Sequence, residues 1–164
     1  MKNILLKVIS ILGLVACMVA IFVFSCENAE TSDATSGRLI KKICVLLVDG
    51  FENLSEEQKQ EIIGNYQAGI RTMAHFCIFA ALGFFATLSL LSFGVKTVKN
   101  FAISFPFSVL YAVSDEIHQY FVPGRAFQFS DIIVDSLGSL VGICFVIVLA
   151  LLICKKRSSQ NKND

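Results

Sequence analysis

Apolar residues fill four long stretches of this chain, and polar residues gather between them. Residues 4–24 form the first stretch, broken by Lys7 and Ser10. At 1.5 Å per residue, such a helix matches about 30 Å of hydrocarbon. The run continues past Leu14-Val15-Ala16-Cys17, a segment that resembles a lipoprotein processing site. That continuation favours a retained anchor over a cleaved signal. Residues 72–94 form the second stretch and residues 132–154 the fourth. The third is apolar over 101–113, too short to cross alone, and reaches a spanning length when continued to 121. Pro106 kinks such a helix rather than ending it, because neighbours re-satisfy the freed carbonyl.

The pattern predicts an all-α membrane domain over residues 1–154. It has four transmembrane helices, a helical extracytoplasmic loop over 25–71 and a polar cytoplasmic tail over 155–164. Within the loop, Leu39, Ile40, Ile43 and Leu47 recur at helical spacing, with Arg38, Lys41 and Lys42 elsewhere. This predicts a helix over 36–48 lying in the membrane interface. Asp49-Gly50 ends it. Ser55-Glu56-Glu57-Gln58 reads as a capping box that opens a second helix, over 56–65, leading toward the second span. The tail from Ser158 is polar and reads as disordered.

Composition agrees with a membrane protein. Hydrophobic residues make up 55% and charged residues 16%, against about 25% charged in soluble domains. Mean hydropathy is +0.69. The net charge of +1 gives no bulk attraction to nucleic acid. None of the six cysteines forms a CxxC pair, and four lie inside apolar runs as small apolar residues. Cys26 and Cys44 lie in the loop, where spacing alone does not decide whether they pair. With alternating helices, Lys2, Lys7, Lys96, Lys99, Lys155, Lys156 and Arg157 all fall on one side, which is therefore cytoplasmic. Both termini of this multi-pass cell-membrane protein then lie inside. Glu27, Glu30 and Asp33 lie outside.

The chemistry is concentrated in SDEIHQYFVPGRAFQFSDIIVD, residues 114–135. Asp115, Glu116, His118, Arg125 and Asp131 fall within 17 residues, with Asp135 just beyond. Each such group costs about 2.5–3.5 kcal/mol near a membrane helix centre. Alternation brings Arg71 and His75 of the second span to the same level. Asp115 shares a helical face with His118 and Gln119, and Tyr111 extends that face inward. Asp131, Asp135, Gly138 and Gly142 form one stripe of the fourth span, whose glycines allow close helix approach. The candidate ligand-binding set is Arg71, His75, Asp115, Glu116, His118, Gln119, Arg125, Asp131 and Asp135.

Three chemistries are open. Asp115, Glu116 and His118 are candidate catalytic groups, since a carboxylate beside an imidazole works as a general base. Asp115, Glu116, His118 and Asp135 are candidate ligands for a divalent metal, though without a strict metal-binding spacing. Arg125, in the Pro123-Gly124-Arg125 turn, suits bidentate contact with a carboxylate or phosphate. The competing reading is a closed structural network, in which Arg125 pairs with Asp131 or Glu116 and Asp115 fixes His118.

The segment Ser114-Asp115-Glu116-Ile117-His118-Gln119, followed by Phe121-Val122-Pro123-Gly124-Arg125, resembles the VanZ-like family. The resemblance continues through Ser130-Asp131, Gly138 and Gly142. It also takes in Phe24-Ser25, His75-Phe76 and Leu82-Gly83. The chain departs from the family at Ile78 and Phe79, where an acidic residue and Tyr are common, and at Asp135, where Asn is common. The resemblance implies a place in the bacterial cell envelope and a link to glycopeptide susceptibility, notably to teicoplanin.

The leading expectation is an envelope protein whose outer-leaflet polar pocket binds an anionic lipid-linked precursor or a lipoglycopeptide. A second is an intramembrane hydrolase or transferase, using Ser114, Ser130 or a metal-bound water. A third is a partner-binding protein that uses the small-residue stripe of the fourth span.

Overall fold

The computed structural model describes the backbone of residues 4–27, 29–47 and 50–160. Side chains are described within these ranges except at 29–36, 47, 68 and 157–159. The charges of Lys2, Glu30, Asp33, Asp49 and Arg157, and the side chain of Leu47, lie outside the described residues. Five α-helices follow in order: α1 (Ile4–Ser25), α2 (Ala29–Leu47), α3 (Glu56–Ser92), α4 (Thr97–Tyr120) and α5 (Phe129–Gln160). A short 3-10 turn at Phe51–Asn53 links α2 to α3. No strand occurs among the described residues.

Helices α1, α3 and α5 are long and apolar enough to cross a membrane. Helix α4 has the length, at 24 residues, but is less apolar, and its pattern of burial gives the reason. Its buried residues are Asn100, Ser104, Ser108, Ala112, Asp115, Glu116 and Gln119, a nearly continuous polar stripe. Val98, Ile103, Leu110, Ile117 and Tyr120 face outward. Polar inside and apolar outside is the inverse of a soluble amphipathic helix. It suits a helix whose outer face meets lipid.

The capping box at Ser55 forms. Its N–H donates to Gln58 Oε1 at 3.1 Å, and the Gln58 N–H donates to Ser55 Oγ at 3.3 Å. Two otherwise orphaned helix-start donors are thereby satisfied. The helix does not stop in the loop; it runs unbroken for 37 residues into the second apolar stretch. Glu56 accepts from Lys59 Nζ at 2.9 Å, and this ammonium holds its carboxyl below the ordinary range.

Helix α2 begins at Ala29, earlier than the predicted start at 36, and the apolar residues of its stripe divide between two surroundings. Ile40 and Cys44 are buried against Phe51 and Ile63, while Leu39 and Ile43 point outward. The turn at Phe51–Asn53 brings Phe51 back against α2. Ile40 and Cys44, one turn apart, therefore have a protein surface to bury against. Cys26 and Cys44 are both free thiols. Helix α5 also outruns expectation, staying helical to Gln160 although the tail from Ser158 read as disordered. Extending an established helix by a turn is favourable for ordinary residues.

Helix packing sets the site's position. Lys7 Nζ lies 4.5 Å from the Phe93 ring centre, so the start of α1 meets the end of α3. At the other end of α1, Ser25 meets the end of α4. Helices α3 and α5 touch through glycines: a Cβ on Gly138 would fall on the Phe76 carbonyl, and one on Gly142 on the Ala80 carbonyl. Gly83 is pressed the same way against Ser139. The stripe of α5 is thus covered by α3 of the same chain and is not a free surface for a partner.

Candidate functional site

The site is built around Asp115, which is 6% exposed. Ser25 Oγ, from the end of α1, donates to its Oδ1 at 2.5 Å. Gln119, one turn on along α4, donates from Nε2 to Oδ2 at 2.8 Å and to Ser25 Oγ at 3.2 Å. The Gln119 carbonyl oxygen accepts from Arg125 Nη1 at 3.0 Å. A guanidinium only donates and a carboxylate only accepts, so this chain allows one orientation of the Gln119 amide. The result is a directed line from Arg125 through Gln119 to Asp115 and Ser25.

Arg125 reaches Gln119 because of the turn that precedes it. The Arg125 N–H donates to the Val122 carbonyl at 3.1 Å, closing a four-residue turn. Pro123 fits the second position, and Gly124, with φ 78°, fills the third. Positive φ there is favourable for glycine and strained for other residues.

Helices α3 and α5 complete the cluster. His75 Nδ1 lies 3.8 Å from Asp135 Oδ2, within charge-pair range but too far for a hydrogen bond. Asp135 is 3% exposed, and its Oδ1 has no hydrogen-bond partner among the described residues. One donor atom each from His75, Asp115 and Asp135 lie within 4.8 Å of one another.

The other expected site residues have different surroundings. Glu116 is buried and accepts from the backbone N–H of Gln128, which fastens the segment between α4 and α5. His118 is turned toward α1, with its ring 4.9 Å from Phe22 and Nε2 3.4 Å from Cys26 Sγ. Asp115 therefore fixes Ser25 and Gln119 rather than His118. The expected metal set of Asp115, Glu116, His118 and Asp135 is likewise corrected. A helical step of about 100° takes Glu116 off the Asp115 face, and the Phe22 contact holds His118 aside. Asp131 is half-buried near the start of α5 and accepts from Ser130 Oγ at 3.3 Å. A carboxylate there complements the helix dipole. Arg71 is half-buried on α3, one turn before His75.

Neither proposed nucleophile lies in the cluster. Ser114 Oγ donates to the Tyr111 carbonyl at 2.7 Å, and Ser130 is engaged with Asp131. Tyr111 donates to the Met18 carbonyl at 2.8 Å, which ties α4 to α1. Sequence reasoning missed Ser25 as a site residue. Its signal was present in the Phe24-Ser25 pair that carries part of the family resemblance. An open cavity of about 890 Å³ lies along α2, lined by Arg38, Leu39, Lys41, Lys42, Val45 and Leu46. None of these residues belongs to the cluster.

No curated protein and no solved structure matches the chain. A family model does, over residues 10–152, a range holding all five helices' packed cores and every residue of the cluster. The chain is a membrane protein that belongs to the VanZ/LLP1 family.

Proposed function

We propose that this protein works in the bacterial cell envelope, where the cluster around Asp115 receives the anionic headgroup of a lipid-linked precursor or a lipoglycopeptide. The observation that carries this reading is the Arg125–Gln119–Asp115–Ser25 line. It joins residues about ninety positions apart and ends on a half-buried guanidinium beside an open loop. A guanidinium is planar, always charged and matched in shape to a carboxylate or phosphate. The carboxylates below it repel an anion, so the headgroup sits at Arg125 and goes no deeper unaided.

The proposed topology has four spans, with α4 crossing beside α1, α3 and α5 and both termini cytoplasmic. The polar face of α4 turned inward and the lysines gathered at one end of the helices support it. The cluster then lies at the outer leaflet.

Purification in mild detergent followed by mass spectrometry of retained lipids tests the reading. Wild type retains an anionic lipid-linked species, and Arg125→Ala loses it while remaining folded. In cells, Arg125→Ala and Glu116→Gln shift teicoplanin susceptibility. If both variants insert and fold, yet retain the same lipids and leave susceptibility unchanged, the reading is wrong. The His75–Asp135 pair favours a second reading, a hydrolase or transferase acting on the same material. With Ser114 and Ser130 outside the cluster, the pair suits the hydrolase form, in which an activated water attacks and the leaving group departs protonated.

A further inference from the structure

We propose that His75, Asp115 and Asp135 hold a divalent first-row cation, of the zinc or manganese class, between α3, α4 and α5.

The geometry comes first. Donor atoms of the three residues lie within 4.8 Å of one another. Ligands sharing an ion at about 2.0–2.2 Å stand at most about 4.4 Å apart. His75 Nδ1 and Asp135 Oδ2, at 3.8 Å, already satisfy that limit, and a small inward movement of Asp115 completes it. The same 3.8 Å is too long for the hydrogen bond that would otherwise account for the pair.

Asp135 supplies an independent sign. It is 3% exposed, and its Oδ1 has no hydrogen-bond partner among the described residues. A carboxylate oxygen buried without a partner is destabilising. A bound cation removes that penalty. Asp115 is prepared in a complementary way. Each of its oxygens accepts one hydrogen bond, from Ser25 or from Gln119, and each retains a further lone pair. Outer hydrogen bonds of this kind orient metal-binding carboxylates in general.

The charge and donor type agree. Asp115 and Asp135 bring two buried carboxylates together, and Arg125 is linked to Asp115 through Gln119. A divalent ion offsets the carboxylate charge. One imidazole with two carboxylates suits zinc, manganese or iron, whereas calcium and magnesium prefer all-oxygen sites. Three protein ligands leave at least one position for water or for an anionic oxygen of a headgroup. The ion would thus present positive charge where the bare carboxylates repel an anion.

The test uses the full chain, purified in mild detergent from cells grown with zinc and manganese and analysed by inductively coupled plasma mass spectrometry. The expected content is about one ion per chain. EDTA removes it and lowers the melting temperature, and added zinc or manganese restores both. His75→Ala and Asp135→Asn each reduce the content about tenfold or more, while His118→Ala leaves it unchanged. An ion content in wild type no higher than in His75→Ala overturns the proposal. So does an ion that survives both substitutions. If the variants do not fold, the wild-type melting temperature decides, and no response to EDTA or to added metal overturns it. Arg125→Ala keeps the ion, so failure of the headgroup reading and failure of the metal site give different results.

Discussion

The buried stripe of α4 has two halves that satisfy their polar groups in different ways. In the first half, Ser104 donates to the Asn100 carbonyl at 2.9 Å and Ser108 to the Ser104 carbonyl at 3.0 Å. Asn100 donates to the Thr87 carbonyl at 3.0 Å. On α5, Ser139 donates likewise to the Phe79 carbonyl at 3.1 Å. Each of these is an uncharged side chain on a backbone acceptor. In the second half, Asp115, Gln119, Ser25 and Arg125 bond to one another, side chain to side chain, across several elements. Small polar residues bonded to backbone are common in membrane helices and serve packing. Ionisable side chains that need partners on other helices are expensive, which makes them the candidates for function. The comparison separates polarity that serves packing from the polarity on which the proposed function rests.

Gly142→Leu should have the largest effect, because it disturbs both halves. Its side chain would meet the Ala80 carbonyl and push α5 off α3, displacing Ser139 and Asp135 together. A loss of about 3 kcal/mol is expected in thermal unfolding followed by helical circular dichroism. Asp115→Ala comes next and breaks only the second half. It leaves the donors of Ser25 and Gln119 without their carboxylate, a loss of about 2 kcal/mol. A smaller loss than that of Ser108→Ala would erase the distinction.

Matched serine substitutions sharpen the comparison further. Ser108→Ala removes a hydroxyl bonded to its own helix and should change stability by about 0.5 kcal/mol or less. Ser25→Ala frees one oxygen of Asp115 and should cost about 1 kcal/mol. It should also reduce retention of the anionic lipid, whereas Ser108→Ala should not. Equal lipid retention in the two variants would remove Ser25 from the site.

The smallest effect belongs to the Glu56–Lys59 pair at the start of α3, whose carboxylate is exposed. The carboxyl of Glu56 is held low by Lys59, so its contribution is present above the ordinary glutamate range. That contribution is lost as pH falls through the depressed value. Glu56 is exposed, so the pair is screened by salt. Glu56→Gln should therefore melt with wild type at moderate salt, and any difference should appear only at low salt and above the glutamate range.

Much of this fold was legible in the chain. Apolar runs located α1, α4 and α5 to within a few residues, apart from the tail of α5, because continuous hydrophobicity at helical length has few alternative readings. Ser55 and Gln58 marked the start of α3 through a local bond that needs no tertiary information. The residues that α2 buries could not be read from their spacing, because Phe51, beyond the end of that helix, decides which are covered. The site was legible as a level but not as a set of partners. Helical phase put His118 beside Asp115, yet the Phe22 ring draws it toward α1. His75 and Asp135 come together through the close glycine packing of α5 on α3, which residue spacing within either helix does not reveal. Ser25 acquires its role only when the end of α1 meets the end of α4.

The most direct test of the central claim compares lipids retained by wild type and by Arg125→Ala, with melting temperatures measured on the same samples. The account predicts an anionic lipid-linked species in wild type and its loss in Arg125→Ala, with little change in melting. Equal retention in both, or loss only where the protein has also unfolded, would contradict it.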